Sequence, residues 1–336
     1  MNNSKKSIMN NSKKSIAVIG SGAWGTAIAK VASVNASGVI IISQNQDVID
    51  DINHYSENKL YLPDISLSGN ITASDDITMT DNVDVIFIAV PSQYVRAIFT
   101  HLRDAKIKSP VVICSKGIEK ESLMLMSEVA HEVIPDNKVA ILSGPNLAME
   151  VALHKPSATT IASNDSGLAY LASSIVRNEN FTPYTCNDMI TNQIAGATKN
   201  IIAIASGLII GRDLGENARA AVITKGISEI AKLSVAKGGK PETIFGYGGI
   251  GDVLLTCNSV KSRNTSLGIE LAQNHGLANI LGHRVTVAEG VDSAKSVSEL
   301  AHKLKINMPI CRAINDLLYN NLSIDKAISD IIKAYD

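Results

Sequence analysis

Cysteine is scarce: Cys114, Cys186, Cys257 and Cys311 are the four in 336 residues. None forms a CxxC with another, and none stands at metal-ligand spacing from a histidine. That usage excludes a disulfide framework, suits a reducing compartment and leads us to expect no metal. Aromatic residues, at 4%, do not interleave with basic ones, so stacking on nucleic-acid bases has no footing. Neither sign of charge dominates: 31 Lys+Arg against 32 Asp+Glu leave a net charge of −1, which supports no binding to nucleic acid or to an anionic membrane. Long apolar runs are missing as well. The nearest approach, residues 189–211, is interrupted by Asn192, Gln193, Lys199 and Asn200, short of the ~20 apolar residues that a span needs. We expect a buried core helix there and no integral membrane segment.

What is present describes a soluble globular chain: 45% hydrophobic, 19% charged, and long enough for two domains with sizeable cores. The chain opens with "MNNSKKSI" written twice, leaving Met1 and Met9 both open as starts. The apolar run that follows is only Ile16 to Ile19, too short for a secretory signal. Residues 1–14 are expected to be a disordered extension and the protein to be cytoplasmic.

Up to residue 186, short apolar runs alternate with helical patterns. "SIAVIG" (15–20), "VIIIS" (39–43), "VDVIFIAV" (83–90), "VVICSKG" (111–117) and "KVAILSG" (138–144) suit strands covered on both faces. Helices are predicted at 25–35, 91–104 and 121–134, and further strands at 157–163 and 181–186. The alternation implies an α/β domain, a Rossmann-type doubly wound and mostly parallel sheet, over residues 15–187. Beyond it, 188–210, 216–237, 262–273, 290–304, 309–320 and 323–335 all carry helical periodicity. Residues 188–336 are therefore expected to form a second, all-helical domain, whose apolar stripes would suit a homodimer.

"IAVIGSGAWGTAIAK" sets Gly20-x-Gly22-x-x-Gly25 between the first strand and the first helix. In that context the spacing reads as a dinucleotide site, the alternative being a tight turn without ligand. Gly20 would make the turn, Gly22 would let backbone approach a pyrophosphate, and Gly25 would let helix pack on strand. The Ala23 and Trp24 amides would face the phosphates at the helix N-terminus. At the end of the second strand Gln44 and Asn45 are neutral and Asp47 lies a turn too late to bind the ribose. No arginine stands there for a 2′-phosphate, so NAD or NADP remains open.

Other polar residues collect at expected strand ends. Lys116 of "CSKGIE" reads as a ligand-facing cation or a plain loop lysine. "LSGPNLAME" sets Gly144, Asn146 and Ala148 at the same edge. Asp252, after four glycines in "GYGGIGDVLLTC", is a counter-charge or merely the cap of a helix starting at Val253. Ser262, Arg263 and Asn264 would make a phosphate cradle or a solvated helix cap. Lys199 is the one charge in "QIAGATKNIIAIASGLIIG". It could snorkel to solvent, but Ala195, Gly196 and Ala203 around it leave its stem little surface to cover. A lysine so dry would have its pKa lowered and could exchange a proton with a carbonyl oxygen, with Asp252 as counter-charge.

Those blocks, with "GENARAAVITKG", "SRN" and "AEG", resemble the bacterial type of NAD(P)-dependent glycerol-3-phosphate dehydrogenase from Ile16 to the C-terminal helices. The resemblance implies interconversion of sn-glycerol 3-phosphate and dihydroxyacetone phosphate with NAD or NADP, supplying glycerophospholipid biosynthesis. By motif, Lys199 would be the proton donor and acceptor, and Lys116, Gly144, Asn146, Asp252, Ser262, Arg263 and Asn264 would line the phosphorylated triose. The cofactor would meet Gly20, Gly22, Ala23, Trp24, Gly25, Gln44, Lys116, Ala148, Arg263, Val287 and Glu289. The chain departs from the family's pattern at Asn146-Leu147, where members often have Ser or Thr followed by Phe. It departs again at Gln44, where many carry Arg or His. A hydroxy-acid or 6-phosphogluconate type of dehydrogenase would keep the cofactor site and change the cradle; a non-catalytic dinucleotide module would bind without turnover.

Overall fold

A computed structural model describes residues 14–260, 262–273, 277–282 and 289–333. Residues 1–13 lie outside them, and the first strand begins inside the duplicated stretch, at Lys14, the last residue of the expected extension. Strand β1 (Lys14–Ile19) turns into α1 (Ala23–Ser33), followed by β2 (Ala36–Ile42), α2 (Gln46–Asp50), β3 (Ile71–Ser74) and β4 (Val85–Ile88). Then come α3 (Val95–Asp104), β5 (Val111–Ile113), α4 (Met126–Val133), β6 (Val139–Ser143), α5 (Ala148–Ala152), β7 (Ser157–Ala162), α6 (Ser166–Val176) and β8 (Phe181–Cys186). The eight strands form one sheet in the order β3-β2-β1-β4-β5-β6-β7-β8. Every neighbouring pair is parallel except β6 and β7, so the last two strands run back across the sheet. All four residues of β4 are buried, because helices cover both faces; this is why the strand is a continuous apolar run rather than an alternating one.

Several elements go beyond the sequence reading, among them α2, β3, α5 and α6. β3 is a short edge strand with one exposed threonine, too weakly patterned to stand out. α6 had a readable signal, Asp165, whose side chain accepts the Leu168 amide at 2.8 Å as an N-cap. One expected helix is shorter. Residues 121–125 do not join α4 because 114–125 form a strap folded on itself, with Glu119 N–H donating to Met124 O (3.0 Å) and Leu123 N–H to Glu119 O (3.0 Å). Leu123 takes a φ of 59°, which no helix accommodates.

After residue 186 the described chain holds helices and no named strand: α7 (Met189–Gly211), α8 (Gly215–Ala236), α9 (Asp252–Asn258) and α10 (Arg263–Ala272). α11 (Leu277–Gly282), α12 (Glu289–Lys303), α13 (Pro309–Tyr319) and α14 (Ile324–Lys333) follow. α7 is the axis of this half. Asp188 caps it, accepting Thr191 N–H at 3.0 Å, and every residue from Thr191 to Ile209 is buried. α7 is long and apolar enough to cross a membrane by length and composition, yet 89% of its most apolar window is inside the protein. A helix surrounded on all sides has no reason to be amphipathic, which accounts for its uniform Ile, Ala and Gly.

α10 crosses α7 at two glycines. A Cβ on Gly207 would overlap the carbonyl oxygen of Thr265, and one on Gly268 would overlap that of Ile204. The backbones touch, so neither neighbour can step aside as a flexible side chain would. Gly207→Ala is therefore expected to lower unfolding free energy by about 1–3 kcal/mol through overpacking. Urea unfolding checks this, and a variant as stable as the parent would mean the two helices part freely.

Candidate active site

The first site lies where β1 meets α1. Gly20 sits at a φ of +113°, and a Cβ there would lie 2.7 Å from Ala89 O. A Cβ on Gly25 would overlap the carbonyl oxygen of Gly20, whereas one on Gly22 would meet nothing within 4 Å. So Gly20 and Gly25 pack the turn against β4 and itself, and Gly22 faces open room. Asn58, fully buried, holds the turn from below by donating to Ser21 O (2.8 Å) and Thr26 Oγ1 (2.7 Å). Ser21 and Ser43 hydroxyls pair at 2.6 Å, tying the turn to the end of β2. The first intrahelical bond of α1 runs from Thr26 to Gly22, so the Ala23, Trp24 and Gly25 amides precede the helical ladder. The buried Trp24 Nε1 also lacks a partner among the described residues. Open space at Gly22, oriented amides and an unused indole donor fit a dinucleotide pyrophosphate. Gln44 is exposed just past β2, and Asn45 is occupied capping α2, its Oδ1 accepting Val48 N–H at 3.3 Å.

The second site joins the two halves of the chain. Lys199 on α7 donates to Asp252 Oδ1 at 2.6 Å, and Lys116 on the strap donates to Asp252 Oδ2 at 2.6 Å. Lys116 also reaches Gly144 O at 3.3 Å, at the end of β6. Asp252 is 1% exposed; it does not precede a helix starting at Val253 but is the first residue of α9 itself. Gly196, one turn before Lys199, has no side chain, and a Cβ there would sit 3.4 Å from Lys116 Cγ. The Lys116 stem thus passes over this turn of α7 close to Gly196.

Thr256, one turn after Asp252, completes the group. Its hydroxyl donates to Asp252 O (2.7 Å) and accepts from Lys199 Nζ (2.9 Å). An ammonium has three protons, and two of Lys199's are taken up this way. Burial pushes the Lys199 pKa down from 10.5 to about 8; Asp252 opposes the shift, Lys116 adds to it, and Glu289 opposes it from α12. At neutral pH roughly a tenth of such an amine is free base, so it can give or take a proton.

Asn146 donates to Ala158 O at 2.9 Å, leaving its Oδ1 buried without a partner among the described residues. Gly144 is required by close approach, since a Cβ would lie 2.8 Å from Thr159 Cα. Ala148 begins α5 and packs on the same core as Ala23 and Trp24. At the start of α10, Ser262 is the N-cap, accepting Thr265 N–H at 3.4 Å, and Arg263 is exposed. Asn264 Oδ1 accepts Gly290 N–H (3.0 Å) and its Nδ2 donates to Asn200 Oδ1 (3.0 Å). The Asn200 amide nitrogen is left buried and unpartnered among the described residues. Glu289 opens α12, and Val287 lies outside the described residues. The structure thus gathers Lys116, Gly144, Lys199 and Asp252 directly, while Asn264 bonds Asn200, the chain neighbour of Lys199. Sequence reasoning missed Thr256 and Asn200. The i, i+4 spacing of Asp252 and Thr256 on one helix was the available signal for the first. Among the described residues no group of three or more His, Cys, Asp or Glu could hold a metal.

Residues 15–169 match the NAD-dependent glycerol-3-phosphate dehydrogenase N-terminus, and residues 188–329 match the C-terminus of the same enzymes. The chain is 42% identical to a glycerol-3-phosphate dehydrogenase [NAD(P)+] of Caulobacter vibrioides over 318 residues, 94% of this chain and 96% of that one. It is 39% identical to the enzyme so named from Parvibaculum lavamentivorans, over 95% of this chain and 96% of that one. The crystal structure of glycerol-3-phosphate dehydrogenase from Coxiella burnetii superposes with a TM-score of 0.91 at 33% identity, covering 96% of this chain and 99% of that one.

The opposing influences on Lys199 make a prediction. Asp252 holds its pKa up against burial, so Asp252→Asn is expected to move it below about 8. Reductive 13C-methylation of the lysines followed by an NMR pH titration reads this directly. An unchanged or higher pKa would mean that the carboxylate does not govern the amine.

Proposed function

The chain belongs to the NAD-dependent glycerol-3-phosphate dehydrogenase family, and we propose that its buried lysine pair and the carboxylate between them carry the interconversion of dihydroxyacetone phosphate and sn-glycerol 3-phosphate. The observation that bears most weight is the buried contact of Lys199 with Asp252 and Thr256, with Lys116 on the carboxylate's other oxygen. The reduced dinucleotide, when bound, supplies a hydride to C2 of the ketone. Lys199 then uses its remaining proton on the oxygen that becomes the hydroxyl; in the reverse direction it takes that proton back. Asp252 and Thr256 orient the amine and stabilise its charge in the ground state. Asn200 Nδ2, buried without a partner among the described residues and turned by Asn264, is a candidate donor to the substrate. Ser262, Arg263 and Asn264 at the start of α10 receive the phosphate, so binding energy from a group that does not react aligns the carbonyl. Lys116, Gly144 and Asn146 line the opposite side.

Gly20, Gly22, Ala23, Trp24, Gly25 and Ala148 would hold the dinucleotide, with Gln44 at its ribose, Arg263 and Glu289 nearby, and Val287 assigned by its motif alone. Neutral Gln44 and Asn45 offer no charge on which selection between NAD and NADP could rest. We assign residues 15–187 to the dinucleotide-binding domain and 188–336 to the substrate domain. A cytoplasmic homodimer feeding glycerophospholipid synthesis completes the reading.

Two measurements test it. NAD(P)H absorbance should fall with dihydroxyacetone phosphate and not with 2- or 3-hydroxy-acid precursors; turnover of the latter alone would reject the substrate. Lys199→Met should lower kcat by roughly 100- to 10,000-fold while dinucleotide affinity, read by fluorescence titration, stays near the parent value. A variant retaining full kcat would remove Lys199 from the chemistry.

A further inference from the structure

The strap that carries Lys116 is held in place by the segment just before α3. Ser115 Oγ donates to Val90 O at 2.5 Å, and a Cβ on the next glycine, Gly117, would overlap the Ser92 hydroxyl. Gln93 then grips the strap backbone twice. Its Nδ-equivalent amide nitrogen, Nε2, donates to Ile118 O at 3.0 Å, and its Oε1 accepts Lys120 N–H at 3.1 Å. Arg96 follows with two bonds to the Glu119 carboxylate, at 2.8 and 2.9 Å. The far side of the strap reaches the helical half, where Lys120 pairs with Asp292 at 2.7 Å.

These contacts differ in kind. The Arg96 and Lys120 pairs join side chains, and long side chains can follow a shifting loop. The Gln93 amide bonds main chain on both sides of Glu119, and it does so two residues from Lys116. A primary amide can donate and accept at once in one plane, so it suits a backbone in this position.

We propose that Gln93 is a positioning residue for the reaction: its two-point grip on the strap sets where Lys116 stands against Asp252. This rests on the reading above, in which Lys116 and Lys199 serve the substrate. Lys116 has no other described anchor at its head than Asp252 and Gly144 O. Slack in the strap would let its ammonium retreat from the carboxylate. Two effects follow in the same direction. Lys199 would lose a neighbouring positive charge that lowers its pKa, and Asp252 would be left to Lys199 alone, which raises it. The charges acting on Lys199 are Asp252 of α9, Lys116 of the strap and Glu289 of α12; Cys257 of α9 also feels it, with Arg219 of α8 acting on that thiol. Of these, only Lys116 rides on the strap that Gln93 holds.

The test compares Gln93→Met, which keeps length and loses both bonds, with Gln93→Glu, which keeps an acceptor for Lys120 N–H and loses the donor to Ile118 O. Both are measured in the full enzyme with NADH, alone and combined with Lys116→Met. In Gln93→Met we expect KM for dihydroxyacetone phosphate to rise roughly tenfold, since a small displacement of a positioning group is costly. The alkaline limb of the reductive pH profile, where activity falls as Lys199 loses its proton, should move to higher pH. Gln93→Glu should lie between Gln93→Met and the parent. On the Lys116→Met background, Gln93→Met should add nothing, because the residue it positions is gone. Wild-type KM and pH limb in Gln93→Met overturn the proposal, and so does an additive double variant. A fall in Tm with no change in the pH limb does the same, since it marks a purely structural role. If Lys116→Met is itself fully active, the reading of Lys116 fails and takes the proposal with it. If Lys116→Met is impaired and Gln93→Met is not, only the grip is wrong.

Discussion

One carboxylate between two ammoniums is the constraint around which this molecule is arranged. Asp252 is buried and shares its two oxygens between Lys116 and Lys199, each at 2.6 Å. Two cations brought this close repel, and taking either from water is costly; removing the partner of a buried charge typically costs about 3–5 kcal/mol. The three side chains come from the strap after β5, from the middle of α7 and from the start of α9, so the carboxylate is also a joint between the sheet and the helical half. Its hold on Lys199 is opposed by burial and by Lys116. The balance leaves an amine able to exchange protons near neutral pH, which neither desolvation nor pairing alone would produce.

Small residues make that balance possible. The Lys116 stem packs beside Gly196, and the meeting of Gly207 with Gly268 brings α10 against α7. Because α10 lies so close, Asn264 can reach Asn200, the neighbour of Lys199, and can accept the Gly290 amide at the start of α12. Three helix starts, those of α9, α10 and α12, therefore converge on one turn of α7. Anionic ligands favour helix N-termini through their free amides and dipoles.

Much of this was legible beforehand. The buried parallel strands announce themselves as apolar runs, and the Gly20-x-Gly22-x-x-Gly25 spacing acquires meaning from the strand and helix that flank it. The lone Lys199 among Ala, Gly and Ile marks itself as a buried charge in want of a partner. Other features stayed hidden for physical reasons. β3 is too short and too near the edge to carry a pattern. The strap's last residues looked helical because local sequence cannot see the strap folding back on Glu119, which Arg96 of α3 holds in place. Asn264 and Asn200 lie 64 positions apart, and their amide relay exists only once α10 has crossed α7. Thr256 was hidden differently, being readable by spacing but unremarkable until Asp252 had two lysines to serve.

The reversal at β7 acts as a measuring device. Because β7 and β8 run against the rest of the sheet, the chain leaves β8 at Cys186, which pairs with Ala162 and so lies level with Ile141 in the middle of β6. α7 starts three residues later, at Met189, and comes up to the end of β6, where Ser143 lies beside Gly196. The seven residues from Met189 to Gly196 advance on the order of 10 Å of helix, and the two strand steps from Ile141 to Ser143 cover roughly 7 Å, so helix and strand advance over comparable spans. Sheet and helix are thus gauged against each other, so that the amine emerges at the ligand-facing rim. One residue inserted ahead of Lys199 would turn it about 100° around the axis, away from its carboxylate, without disturbing a single strand.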